Sequence, residues 1–246
     1  IVIKLILHNK NKNGQLALDL ARDYAIGEEG KVYDFFLRED IVWHDGKKFG
    51  ADDVIFTIQT IQNQEYKSPL RVNWQGVEVE KRDDFTVRFV LKNPYAPFLN
   101  NLTTGIIAKH IWEIISPAKF SLSELNLKPV GTGPFELSQV VKKGDQIESV
   151  ELESNKKHYF GSPFIESIKL IFFENQQDAL SAFNGGKING LALSSILDLE
   201  RINPSLSFDK YSFPLPRYFG LFFNEQKNKA LSEKSVRQAL AHAIDK

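Results

Sequence analysis

The chain has 246 residues, 42% of them hydrophobic and 25% charged, with 31 basic residues against 31 acidic ones. That length can bury a sizeable core in one large or two modest domains, and the balanced charge supplies no net field to hold nucleic acid or an anionic membrane. Cysteine is absent, which removes disulfides, thiolate nucleophiles, iron–sulfur clusters and Cys-ligated zinc together.

Residues 1–7 are a short apolar run without a basic leader or a small-residue cleavage site. The run is too short to span a bilayer and reads as the end of a strand or helix. Asn11-Lys12-Asn13-Gly14 is a turn, and 16–24 reads as a loop with a helical turn. Residues 31–38 alternate as a strand, and 41–43 lead into a turn at Asp45-Gly46. Over 51–63, Val54, Ile55, Ile58 and Ile61 recur at helical spacing. Gly50, with Asp52 and Asp53 in the first turn, starts that helix, because early carboxylates complement its dipole. Residues 77–79 and 86–91 form a hairpin joined through 82–84. Pro94 and Pro97 close it, and short apolar segments at 98–99 and 106–112 follow.

A second hairpin is expected from 135–141 and 147–153 around Gly144-Asp145. Residues 167–173 read as a strand of buried-type residues, with Phe172 and Phe173 in the core. Residues 176–183 read as a helix closed by Gly185-Gly186. A short helix over 194–202 stops before Pro204, strands are expected at 207–213 and 218–224, and 231–246 patterns as an amphipathic helix. The alternation of types predicts an α/β protein, mixed in α and β, with helices packed on a mixed sheet in the second half. With no methionine in the chain and no cap after the last helix, an internal piece of a longer chain is expected.

No catalytic or metal constellation emerges. The five histidines, His8, His44, His110, His158 and His242, never fall at helical or hairpin ligand spacing and read as isolated, mostly exposed side chains. Gly131-Thr132-Gly133 is followed by Pro134, where a phosphate loop needs Gly-Lys-Ser/Thr, and a strand follows where a dinucleotide fingerprint needs a helix. A tight turn feeding a strand is the better reading. A nucleophile elbow is missing. Asp52 and Asp53 point about 100° apart on a helix, which suits capping better than a catalytic carboxylate pair. The chain reads as a non-enzyme with no cofactor. Aromatic residues crowd 211–223, where Pro216-Arg217-Tyr218-Phe219 can present aromatic and cationic groups at a cleft; a strand with one buried face accounts for each residue equally well.

Several blocks gain meaning from their order. Leu37-Arg38 and Trp43-His44-Asp45-Gly46 come first, then Ala51-Asp52-Asp53-Val54-Ile55-Phe56. Ala96-Pro97-Phe98-Leu99, Ala108-Lys109-His110-Ile111-Trp112 and Pro129-Val130-Gly131-Thr132-Gly133-Pro134-Phe135 follow. The series ends with a block over 155–161, Gly186-Lys187-Ile188-Asn189, the Phe223-Asn224 strand end and Val236-Arg237-Gln238-Ala239-Leu240. In this order the chain resembles extracellular solute-binding protein family 5, the peptide- and nickel-binding receptors of ABC importers. Gly50 replaces the usual Thr or Ser cap, Ala108 a common proline and Asn189 a common aspartate; Lys4 stands near a usual glycine.

The resemblance implies a periplasmic-binding-protein-like clamp of the large type with an extra small domain. Residues 1–13 would belong to the first lobe, 14–120 to the small accessory domain and 121–246 to the first lobe's return, with the second lobe absent. It implies capture of short peptides outside the cytoplasmic membrane and delivery to ABC permease subunits. The receptor would be a periplasmic or lipid-anchored monomer with no nucleic-acid partner and a signal sequence outside this piece. By block position, Arg217, Tyr218 and Phe219 would lie nearest the ligand, with Thr132 and Gly133 at the floor of the cleft. A nickel-chelate or other small-solute receptor of the same family, or the sensing domain of a transcription regulator, are the alternatives.

Overall fold

The computed structural model describes residues 3–4, 6–7, 17–193, 195–212 and 220–244. Its chain divides into two compact units, Ile1–Asp178 and Ala179–Lys246. In the first unit, β1 (Ile3–Lys4) and β2 (Ile6–Leu7) precede β3 (Ala17–Leu18), β4 (Ala21–Gly27) and β5 (Val32–Leu37). Helices α1 (Ala51–Gln62) and α2 (Arg71–Trp74) lead to β6 (Val77–Asp83) and β7 (Thr86–Leu91). Then come α3 (Phe98–Asn101), β8 (Gly105–Ile106), α4 (Lys109–Trp112) and α5 (Pro117–Phe120). The hairpin β9 (Phe135–Lys143) and β10 (Gln146–Ser154) and the strand β11 (Ser167–Ile171) complete this unit's strands. Helix α6 (Gln176–Asn184) crosses into the second unit, which adds α7 (Lys229–Ser232) and α8 (Lys234–His242).

The core belongs to a four-stranded antiparallel sheet, ordered β4-β5-β7-β6, with α1 packed against β6 and β7. Strand β7 buries alternate residues, Val87, Phe89 and Leu91, as a period of two requires for one covered face. Val54, Ile58 and Ile61 of α1 supply the facing stripe; each such side chain contributes about 1.5–3 kcal/mol when fully buried. Phe35, Phe89 and Phe98 meet edge to face, 5.7–5.8 Å between successive rings, a geometry in which ring edges meet ring faces. Trp74 packs on both Phe89 and Phe98 at 5.9 Å.

The structure corrects several expectations. Residues 17–24, within the stretch expected to be a loop with a helical turn, carry β3 and the start of β4 instead. Among the described residues, strand β4 lies at the edge of the sheet and pairs only with β5, so its polar residues need bury little beyond Ala21 and leave no hydrophobic alternation to read. Residues 167–171 do form a strand, but at the edge of a three-stranded sheet ordered β11-β10-β9. Leu170 is 47% and Phe172 55% exposed, so Phe172 is not core. Every described ladder is antiparallel, so the expected mixed sheet is absent among the described residues. Residues 207–212 and 220–224 are not strands; they are aromatic-rich but find no ladder partner among the described residues. The short helix expected over 194–202 forms as a 3-10 helix, Ile196–Arg201. The expected Asn11–Gly14 turn and His8 lie outside the described residues.

Candidate ligand-facing turn and its anchors

Residues 41–49 form a loop closed by Val42 pairing with Lys48, and Gly46 sits at φ +83°, where glycine carries no Cβ penalty. The loop presents three consecutive side chains to three different elements. Trp43 Nε1 donates to Asp53 Oδ2 at the start of α1, 3.3 Å away. Asp53, only 6% exposed, also accepts from the Gly50 amide at 3.1 Å and the Lys109 amide at 2.8 Å. Burial pushes its carboxyl up despite these bonds. Asp45 accepts from His110 Nε2 on α4 at 2.7 Å. Burial would raise that carboxyl, but the His110 bond and the Lys47 amide hold it below the usual range.

His44 reaches the 131–133 turn. Its own amide donates to Gly131 O at 2.8 Å, while Nδ1 accepts from the Gly131 amide at 3.2 Å. Because Nδ1 is used as an acceptor, the proton sits on Nε2, which donates to Gly133 O at 3.0 Å. Asn155 Nδ2 donates to the same carbonyl at 3.0 Å, so Gly133 O has both lone pairs engaged. Burial depresses the His44 pKa. Between the two glycines, Thr132 is 1% exposed and its Oγ1 has no hydrogen-bond partner.

Beside the turn, an open cleft of ≈ 780 Å³ is lined by His44, Asp45, Val130, Glu136, Ser138 and Lys142 among others, a size that suits a small ligand. Tyr159 in the 155–161 block donates to Asp19, and Arg38 Nε donates to the Asp19 carbonyl at 2.9 Å. The Arg38 guanidinium lies 4.8 Å from the Phe160 ring centre. Among the described residues, no three His, Cys, Asp or Glu side chains are grouped as metal ligands, and no helix is long and apolar enough to cross a membrane.

Of the site residues expected from sequence, Thr132 and Gly133 fall together in this turn, while Arg217, Tyr218 and Phe219 lie outside the described residues. His44, His110 and Asp53 turn out to be anchors instead of isolated or purely capping residues. The 155–161 block marked Asn155 and Tyr159 by position, but sequence reasoning gave neither of them its partner, Gly133 O or Asp19. Asn155 is 22 residues from its partner and Tyr159 140, so local periodicity carries no trace of either.

The family model described as "Bacterial extracellular solute-binding proteins, family 5 Middle" matches residues 15–246. The chain belongs to this family. Family 5 relatives include the oligopeptide-binding protein AppA of Bacillus subtilis, 29% identical over 93% of this chain. The dipeptide-binding protein of Escherichia coli is 30% identical over 92% of this chain. This chain spans 42% and 45% of those two proteins. Among solved structures, NikZ of Campylobacter jejuni in complex with Ni(L-His) superposes over the whole chain with a TM-score of 0.77 at 31% identity. AppA of B. subtilis in complex with a nonapeptide does so with a TM-score of 0.77 at 25% identity. In both cases the chain covers 48% of the solved one. The chain thus spans about half the length of the relatives it matches.

Proposed function

We propose that this chain is part of the ligand-capturing receptor of an ABC importer, taking up short peptides outside the cytoplasmic membrane and handing them to the permease without a catalytic step. The observation that carries the reading is family 5 membership together with peptide-named relatives along nearly the whole chain. A solved AppA holds a nonapeptide, and DppA of Helicobacter pylori, 26% identical with a TM-score of 0.69, holds the peptide STSA. In this reading 1–13 and 121–246 belong to one lobe and 14–120 to an accessory domain. Ligand closes the clamp by binding the closed state better, and the receptor acts as a monomer. Arg217, Tyr218, Phe219, Thr132 and Gly133 face the ligand. For Thr132 the support is its buried hydroxyl without a partner, which a ligand group can satisfy; Gly133 contributes through its backbone other than its occupied carbonyl.

A second reading, a nickel-chelate receptor, is favoured by the likeness to NikZ with Ni(L-His). Isothermal calorimetry of the full-length receptor with di- to pentapeptide mixtures and with Ni(L-His), preceded by mass spectrometry of co-purifying compounds, separates the two. Micromolar or tighter peptide binding is expected. Heat from Ni(L-His) alone selects the second reading, and heat from neither overturns both.

A further inference from the structure

We propose that His44 is a proton-operated latch, and that protonation of its imidazole in mild acid releases the Gly131 end of the 131–133 turn, next to Val130 in the cleft wall. One ring engages both ends of a three-residue turn, accepting from the Gly131 amide and donating to the Gly133 carbonyl. Only the neutral ring protonated at Nε2 can do both. An imidazolium has two N–H donors and no acceptor, so its Nδ1–H would confront the Gly131 N–H at the 3.2 Å where a lone pair now sits.

The turn has a reason to move once released. Thr132 is held in a buried position with its hydroxyl unpaired, and a buried hydroxyl without a partner opposes the conformation that buries it. Opening lets that hydroxyl meet water. The latch thus holds a segment with a competing state, which a conformational switch requires.

The surroundings do not override the ring. Asp45, adjacent in sequence, is occupied by His110. On the side shared with β9 stand Glu136 and Lys142, and Glu124 and Lys128 pair with each other at 3.8 Å. On the other side Glu153, occupied by Ser138, stands with Lys156 and Lys157. The bond to Gly133 O, then Glu136 and Asp45, favour the charged ring, but burial outweighs them and holds the His44 pKa down. The sign follows: the closed turn binds its proton less readily than the open one. Latch stability is therefore complete above the ordinary imidazole value of about 6.5 and is lost as pH falls through the depressed one.

The latch rests on the receptor reading only for its consequence at the cleft, so the test uses the ligand-free chain. The measurement is NMR-detected exchange of the Gly131 amide, corrected for intrinsic rate, with Ile58 in α1 as the control. Between pH 7.5 and 5.5, protection at Gly131 is expected to fall by more than twofold and by up to about tenfold, the limit set by the proton uptake of an open-state imidazole of pKa about 6.5 over that span. Ile58 stays unchanged. In His44→Gln, protection is lower but flat with pH. In parallel, ¹⁵N shifts of the wild-type ring are expected to report a bare Nδ1 at pH 7.5. A protonated Nδ1 there, a change at Gly131 under twofold, or an equal fall in His44→Gln overturns the proposal.

Discussion

Each oxygen of the Asp53 carboxylate meets only donors: the Lys109 amide on one, the Gly50 amide and the Trp43 indole on the other. An asparagine has a single oxygen, so Asp53→Asn turns its NH₂ towards an N–H whichever way it is rotated. Removing the charge relieves its burial cost, yet the unpaired donors weigh more. Asp53→Asn is expected to destabilise the protein by about 1–3 kcal/mol, read as a lowered urea midpoint at constant m-value; a midpoint at or above wild type would show that burial of the charge dominates. The capping role was legible in sequence, since an aspartate in the first turn of a helix has few better uses. The two longer-range donors were not, because nothing about Trp43 or Lys109 in isolation points to residue 53. His44 is the sharper case. Its spacing gave no reason to expect a His-ligated cluster, but that reasoning reads only histidine-to-histidine distances and says nothing of a ring bonded to backbone.

At the scale of elements, strong local periodicity translated well. Helix α1 and the hairpins β6–β7 and β9–β10 form within a few residues of the expected spans. Helix α6 ends as its glycines dictate: the Gly186 amide donates to Phe183 O at 3.0 Å and the Lys187 amide to Ala182 O at 2.8 Å, the paired bonds of a Schellman ending. Gly186 has φ +68°, and a Cβ there would touch nothing within 4 Å. Gly186→Ala therefore isolates the backbone effect, and a loss of about 1 kcal/mol is expected by thermal or urea unfolding. A loss under about 0.3 kcal/mol would mean that the ending relaxes without cost. Elements that depend on a partner strand were the illegible ones. The loop expected over 16–24 includes the start of β4, which pairs at an edge, and 207–212 look like a strand yet pair with nothing described.

Across the whole molecule, burial is uneven. The main hydrophobic cluster lies within 20–108, whereas no described residue of 220–244 is buried. Helix α8 spans nine residues with none buried, shorter than the length at which a helix holds by itself in water. Hydrogen exchange with mass spectrometry is expected to find α1, β5 and β7 protected and 220–244 exchanging early. Equal protection would show that the C-terminal segment is held by more than its described contacts. Family and fold class were legible because blocks recur in order along the chain. The turn and its anchors were only partly so, since the blocks reveal which segments matter and not that one imidazole joins two of them. That junction also bears on how the chain matures. His44 cannot be fastened until a carbonyl 89 residues later exists, and Asp45 waits for a partner 65 residues on. On a ribosome adding about 5–20 residues per second, the sheet strands through β7 can assemble while His44 and Asp45 in the 41–49 loop still lack their partners. They stay unfastened for several seconds, the interval in which a chaperone or a protease has its best access to the nascent protein.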